Sequence, residues 1–399
     1  MAHLLDKLVK KDCCGCFACA SICPKQCISM VADNEGFLYP QIDDNKCVGC
    51  GMCENVCPVA SRLTRGEPKL VFAAKNPDED VRMQSSSGGV FSMIADWVIT
   101  QGGVVFGACW NDKWEVVHDY TETNYGISKF RGSKYVQSRI GNSYKQAEQF
   151  LKKGRIVLFS GTPCQIAGLT KFLKKDYNNL FKVDIICHGV PSPLVFKKYI
   201  DEKIIQIQME IKDKHNVYCM DGNKECVKIK EISFRDKRNG WKNFGFNMVV
   251  SYADGETKSC YEPKDENLFI KGFLHNIYLR PSCYCCRFKS FRTCSDLTLG
   301  DYWDIDACFD DDKGTSVITI NTDRGKYLCS AIKNVCLCES SCDDLVSKNV
   351  ALFNSVEMPM ARKIFFTDKN MSINNRISKS LKIPTLYKRI LTRIAKIFL

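Results

Sequence analysis

The sequence predicts a chain of the mixed α+β / α/β class: a small cysteine-rich module at the N-terminus, then a larger mixed α/β domain. Three observations predict it. Eight cysteines fall into two evenly spaced quartets within the first 58 residues. From residue 70 onward, short apolar runs rich in Val, Ile and Phe alternate with segments of helical spacing. The chain has 399 residues and 45% hydrophobic content, enough for two or three domains of ordinary globular composition.

The quartets come first in the chain. Cys13, Cys16, Cys19 and Cys23, followed by Pro24, read C-x2-C-x2-C-x3-C-P, and Cys47, Cys50, Cys53 and Cys57, followed by Pro58, repeat it. Bacterial-type ferredoxins hold [4Fe-4S] clusters with this run, the fourth cysteine of each run serving the other cluster. Three cysteines at this spacing let one tight loop cover three corners of the cube, and the fourth corner comes from elsewhere. The expected sets are therefore Cys13, Cys16 and Cys19 with Cys57, and Cys47, Cys50 and Cys53 with Cys23. Pro24 and Pro58 redirect the chain, since proline fixes φ and donates no N–H. Cys14 and Cys27 fall outside the spacing and read as spectators. Two quartets exceed the four donors of a zinc knuckle pair. A disulfide framework needs an oxidising compartment.

The rest of the composition narrows the class. The chain holds 25 cysteines, and its first residues lack the long apolar run of a secretory signal, so the expected setting is reducing and cytoplasmic. The apolar stretch 88–109 is broken by Asp96, Gln101, Gly102 and Gly103, and reads as a helix and a strand rather than a membrane span. Of the net charge of +12, a net +9 lies in residues 362–399, where ten Lys and Arg face one acid, Asp368. The body is nearly neutral, which speaks against a nucleic-acid binder.

Residues 36–43 (GFLYPQID) have short-strand character, and 64–69 (TRGEPK) read as a linker. LVFAAK (70–75) reads as a strand. Ser85, Ser86, Ser87, Gly88 and Gly89 form a turn before a helix over 90–100, and a strand follows over 102–110. Such a turn is either an ordinary helix cap or an anion site built from free N–H groups, suited to a flavin phosphate.

Residues 155–160 read as a strand, Gly161 to Gln165 as a turn, 166–175 as a helix and 180–186 as a second strand. Strand–helix–strand implies parallel pairing, with ligands at the carboxyl ends. Cys164 follows the first strand and Cys187 the second. Beyond them come a helix over 193–207, strands over 231–235 and 244–252, an Asp254-Gly255 hairpin turn and a helix over 267–279. A C-x2-C pair, Cys283 and Cys286, then precedes a strand over 297–303 that ends at Gly300-Asp301. Cys164, Cys187, Cys283 and Cys286 are either a third [4Fe-4S] ligand set or buried packing thiols.

Six segments in this order together resemble the β subunit family of coenzyme F-420 hydrogenases and dehydrogenases, over about residues 1–340. The carriers are the two Cys-Pro runs, SSSGGVF (85–91), RGSKYVQS (131–138), GTPCQIAGL (161–169), CHGVPSP (187–193) and SCYCCRFK with SDLTLGDYW (282–303). The resemblance implies an iron–sulfur flavoprotein with FAD, or FMN in its place, and a ferredoxin or deazaflavin partner. It favours the third cluster at Cys164, Cys187, Cys283 and Cys286. It also makes Ser86, Ser87, Gly88, Gly89, Gly161 and Thr162 flavin contacts. The implied division is 1–66 for a 2[4Fe-4S] ferredoxin module, 67–150 and 151–340 for the two parts of a flavin- and cluster-binding domain, and 341–399 for a basic, mainly helical tail. Deazaflavin-reducing members usually work beside a large catalytic subunit or have one fused. This chain has no such module, which leaves the substrate open.

A flavin is the natural junction between one-electron clusters and two-electron chemistry. His188 and Asp301, both on site loops, are the candidate proton donors, each with a purely structural role as its alternative. Arg131 and Lys134 either hold an anionic cofactor tail or form a solvated face. No G-x-G-x-x-G follows a strand and no P-loop motif is present. In 386–399, Leu386, Ile390, Ile394 and Phe398 recur four residues apart with Lys and Arg off the stripe, a basic amphipathic helix for a membrane surface, a partner or the chain's own body. Two functions compete: an oxidoreductase with its own small-molecule substrate, for which 208–262 would roof a pocket, and a relay subunit that hands electrons to a partner enzyme. A zinc-stabilised scaffold is a third reading, against which the intact quartets argue.

Overall fold

The computed structural model describes residues 9–60, 66–215, 227–368 and 370–383. The helix expected over 386–399 and the start of the expected linker lie outside the described residues. The chain forms two compact units. The first contains Met1–Val190 and Arg280–Val356, the second Pro191–Leu279 and Glu357–Leu399.

The first unit opens with the cysteine-rich module. Helix α1 (Ala18–Ile22) carries Cys19, and strands β1 (Ile28–Ala32) and β2 (Leu38–Ile42) pair antiparallel with Ile28 opposite Ile42. The Asp33 carboxylate closes the intervening turn by accepting from the amides of Glu35 and Phe37. The expected strand is β2; its partner β1 was not foreseen.

Eight strands follow in one sheet: β3 (Leu70–Lys75), β4 (Val104–Trp110), β5 (Val116–Thr121), β6 (Val157–Gly161), β7 (Leu180–Ile185), then, after an excursion through the second unit, Leu297–Asp301, Ser316–Ile320 and Cys336–Ser340. The last three are β11, β12 and β13, and the order is β13-β3-β12-β11-β7-β6-β4-β5. β11, β7, β6 and β4 run parallel, with Leu299 beside Ile185 and Gly161 beside Asp184. Antiparallel pairs flank them, and β3 runs in the same direction as β11 because both oppose β12. The carboxyl ends of β3, β4, β6, β7 and β11 therefore share one edge of the sheet with the start of β12. The strands come from both 67–150 and 151–340, so these two stretches build one sheet.

The central strands are buried on both faces, which explains their unbroken apolar runs: Val104 to Phe106 and Val157 to Phe159 are fully covered. Helix α2 (Val90–Thr100) covers one face with Val90, Ile94, Ala95 and Val98. Helices α3 (Ser143–Lys152) and α4 (Pro163–Leu173) cover the other, with the cysteine-rich module packed on α4. Helix α4 begins three residues before the expected 166. Thr162 and Gln165 form a reciprocal capping box and Pro163 occupies the first helical position, so Cys164 lies in the first turn of the helix rather than in a loop.

In the second unit, helix α5 (Pro193–His215) runs beyond the expected end at 207. Strands β8 (Val227–Asp236), β9 (Gly245–Tyr252) and β10 (Thr257–Pro263) form an antiparallel sheet with the Asp254-Gly255 turn between the last two. The helix expected over 267–279 stops early, as α6 (Leu268–Leu274). Asn276 takes a left-handed φ of 60° and Leu279 pairs with Pro191, so the chain leaves the helix to make that bridge. Helices α7 (Met360–Thr367) and α8 (Ile373–Leu381) complete the unit. Its core is aromatic: Phe269 meets the rings of Phe196, Tyr199, Phe234 and Tyr278. Among the described residues, no helix is long and apolar enough to cross a membrane.

Candidate metal centres

The first unit gathers its cysteines around three cavities. One of about 350 Å³ is lined by Cys13, Cys16, Cys19 and Cys57. A second, of about 380 Å³, is lined by Cys23, Cys47, Cys50 and Cys53. Each quartet thus takes three cysteines from one run and the fourth from the other. The loops that achieve this use left-handed glycines, Gly15 at φ 68° and Gly49 at φ 67°, which sit one residue before Cys16 and Cys50. Among the described residues, no three His, Cys, Asp or Glu side chains converge on a point that would hold a single metal ion.

The third cavity, of about 860 Å³, is lined by Cys164, Cys187, Cys283 and Cys286, with Thr162 and His188 on its wall. Cys164 stands on the first turn of α4, Cys187 just past β7, and the C-x2-C pair on and after a short helical turn, Pro281–Cys285. An amide and a hydroxyl stand next to these sulfurs. The Val190 amide donates to Cys283 Sγ at 3.4 Å, and the Thr162 hydroxyl lies 3.1 Å from Cys164 Sγ. Burial pushes the Cys187 thiol up to about 12 and Cys286 to about 11, and raises Cys283. Buried thiols of this kind must lose their protons to bind metal. A cation is already in place: Lys289, 7% exposed, donates to the carbonyls of Cys187 and Ala351 and opposes the rise at both Cys187 and Cys286. Among the described residues its bonds go to carbonyls and to no carboxylate, and a buried ammonium of that kind calls for an anion nearby.

The first and third cavities touch. Cys14, expected as a spectator, is buried and lines both. Cys27 likewise lies 3.3 Å from Cys23, on the wall of the second cavity. Gly168 on α4 makes the approach possible: a Cβ there would stand 2.9 Å from Cys16 Cβ and 2.9 Å from the Tyr144 hydroxyl. Arginines stitch the two regions together. Arg287 donates to the Val59 carbonyl at 2.7 Å, and Arg280 to the Cys13 carbonyl at 2.8 Å. Sequence reasoning missed Gly168, Arg280, Lys289 and the position of Cys14. The positions of Gly168 within GTPCQIAGL and of Arg280 two residues before Ser282 were the only signals available.

The residues expected around a flavin lie along the same sheet edge. The Ser86 hydroxyl accepts from the Ser133 amide at 2.5 Å, and Arg131 donates to Gln84 and Ser92, so the two segments 85–89 and 131–134 are bound to each other. Ser87 donates to the Thr315 carbonyl and Gly88 to the Ser316 hydroxyl. A Cβ on Gly88 would lie 2.4 Å from the Ala74 carbonyl, so strand packing alone requires that glycine. Lys134 donates to the carbonyls of Lys129, Arg131 and Gly132, and desolvation brings its ammonium down to about 8. Gly161 ends β6 and Thr162 caps α4. Of the candidate proton donors, His188 lines the third cavity; Asp301 ends β11, the strand beside β7, away from that lining.

Two stretches of the chain match known protein families. Residues 154–344 match the family that comprises the C-terminal part of the coenzyme F420 hydrogenase/dehydrogenase beta chain, and residues 12–61 match the 4Fe-4S dicluster domain. A chain of the xenon-derivatised F420-reducing [NiFe] hydrogenase complex from Methanosarcina barkeri aligns over 77% of this chain and 96% of its own, at 16% identity and a TM-score of 0.42. No curated protein matches the chain.

Proposed function

We propose that this chain, which joins a 4Fe-4S dicluster domain to the C-terminal domain of the coenzyme F420 hydrogenase/dehydrogenase beta family, is an iron–sulfur flavoprotein oxidoreductase. It carries three [4Fe-4S] clusters, the third held by Cys164, Cys187, Cys283 and Cys286. It exchanges electrons with a ferredoxin or a deazaflavin and acts on a small organic substrate of its own. The observation that carries this reading is the third four-cysteine cavity lying against the first through Cys14, with the cation Lys289 already buried beside it.

When bound, the clusters supply one-electron transfer, and a flavin supplies the change to two-electron chemistry. The protein's part is spacing, charge and dryness. Cys50 is exposed and Val48 is 60% exposed, so the second centre is the one an external partner reaches. Cys14 and Cys16 fill the space between the first and third centres with sulfur and exclude water from it. The amide of Val190 and the hydroxyl of Thr162 steady two of the third centre's sulfurs. His188 and the buried Asp184, whose carboxyl is raised to about 6 by burial, both stand on the wall of this cavity.

For the flavin, FAD by the reading above, the residues that fit are backbone groups rather than the expected side chains. Ser87, Arg131 and Lys134 are occupied within the protein. Helix α2 starts at left-handed Gly89 with no side-chain cap, leaving the N–H groups of Val90 and Phe91 for an anion, while that of Ser92 donates to the Gly89 carbonyl. Thr315 Oγ1, buried near Ser87, has no partner.

Iron and flavin per chain after strictly anaerobic purification test the reading. About twelve irons are expected in the native protein, and about eight in Cys164→Ser and Cys286→Ser. Acid extraction should release one flavin per chain. About eight irons in the native protein, unchanged by either substitution, would return these cysteines to packing.

A further inference from the structure

Arg280 is one of the largest fully buried side chains in the protein, with 1% of its surface exposed. Its Nε donates to the Cys13 carbonyl at 2.8 Å, one Nη to Gln137 Oε1 at 2.9 Å, and the other to the Leu38 carbonyl at 2.9 Å, 3.7 Å from Cys13 Sγ. The guanidinium lies over Tyr39 at 4.4 Å and Phe37 at 5.5 Å. Carbonyls, an amide, a sulfur and two aromatic rings surround it, and among the described residues no carboxylate bonds it. A guanidinium stays charged in proteins, and a buried, unpaired cation is costly. The cysteine loop is cut to its shape: a Cβ on Gly15 would stand 2.7 Å from its Nη1. Sequence position adds to the picture, because the Cys283 amide donates to the Arg280 carbonyl at 2.9 Å, so this backbone also anchors the C-x2-C turn.

We propose that Arg280 is the buried counter-charge of the centre formed by Cys13, Cys16, Cys19 and Cys57, and holds the reduction potential of that centre up. The proposal rests on the two-cluster N-terminal module and is independent of the third centre. Four thiolates around a [4Fe-4S] core leave a net anion, and taking up one electron makes it more negative. A fixed cation at the Cys13 corner, in a site closed to water, stabilises the reduced state more than the oxidised one. The second centre supplies an internal control. Its Val48-Gly49 turn corresponds to Cys14-Gly15, yet Val48 and Cys50 face solvent rather than a buried arginine.

The test is a stepwise anaerobic reduction of the full chain with dithionite, followed by electron paramagnetic resonance at controlled potential, for native protein, Arg280→Gln and Arg280→Lys. In Arg280→Gln, one centre's ratio of reduced to oxidised form at fixed potential falls at least tenfold, about 59 mV for a one-electron couple. The other centres keep their potentials and iron is retained. Arg280→Lys, which keeps the charge, stays close to native. Unchanged potentials in iron-replete Arg280→Gln overturn the proposal, as does an equal shift in both variants. If Arg280→Gln does not hold iron, Arg280→Lys decides: iron retained at native potential supports the role of charge, and loss in both overturns it. Fewer than about eight irons in the native protein is instead a failure of the two-cluster reading.

Discussion

Gly168→Ala is a one-carbon change whose consequence can be worked through. In isolation, alanine in a helix interior is favoured over glycine by about 1 kcal/mol. Here the added methyl stands 2.9 Å from Cys16 Cβ, 3.1 Å from Cys16 Sγ and 2.9 Å from the Tyr144 hydroxyl, against an optimum of roughly 3.5–4.0 Å. Neither neighbour is free to move. Tyr144 is fully buried and donates to the Gln165 carbonyl at 2.7 Å, and Cys16 is fixed by the turn at Gly15. Overpacking of this kind costs about 1–3 kcal/mol, so the net effect is a loss of roughly 0–2 kcal/mol. It falls on the contact between α4 and the cysteine loop, and displaces the Cys16 corner of the first centre. Chelator challenge under anaerobic conditions reads it directly: Gly168→Ala should release about four irons several-fold faster than native protein and keep the remainder. Gly66→Ala, whose Cβ meets nothing within 4 Å, is the control. Native retention of iron by Gly168→Ala refutes the argument that this glycine sets the approach of module to sheet.

Two further outcomes follow from buried groups. Burial raises the Asp184 carboxyl to about 6, and its Oδ1 has no partner, so the fold favours the protonated form. That contribution is complete below the ordinary carboxylate range and is lost as pH rises through about 6. Asp184→Asn should therefore raise the free energy of unfolding at pH 8 by on the order of 1–3 kcal/mol, seen as a higher thermal midpoint, and bring little gain at pH 4; a gain that does not depend on pH would sink the assignment. In the second unit, Phe269→Ala removes the ring on which four others pack and should cost about 3–5 kcal/mol. Limited proteolysis should then cut within 191–279 while iron content holds; loss of iron at the same rate would show that the second unit's core is not separate from the centres.

The sequence by itself determined whatever depends on residue type and local spacing. The two Cys-Pro runs carry the dicluster signature, and the expected exchange of the fourth cysteine is matched by which cysteines line the first two cavities. The helix over 90–100 and the strands β3, β4, β6 and β7 were legible, since a central parallel strand is apolar throughout and a surface helix is apolar on one side. The strand β1 and the early stop of α6 were not, because each answers to a partner outside its own segment: Ile42 in the first case, Pro191 in the second. Only the tertiary structure decided what surrounds the cysteines. Sequence spacing says that a thiol is present and is silent on charge brought in from elsewhere. Arg280 reaches a loop 267 residues away, and Lys289 the Cys187 carbonyl 102 residues away. Cys14 breaks the motif in sequence and yet lines both the first and the third cavity in space. A ligand set is written in covalent order, but the field around it is set by long-range packing, where burial decides which neutral partners are left to a cation and so where negative charge must lie.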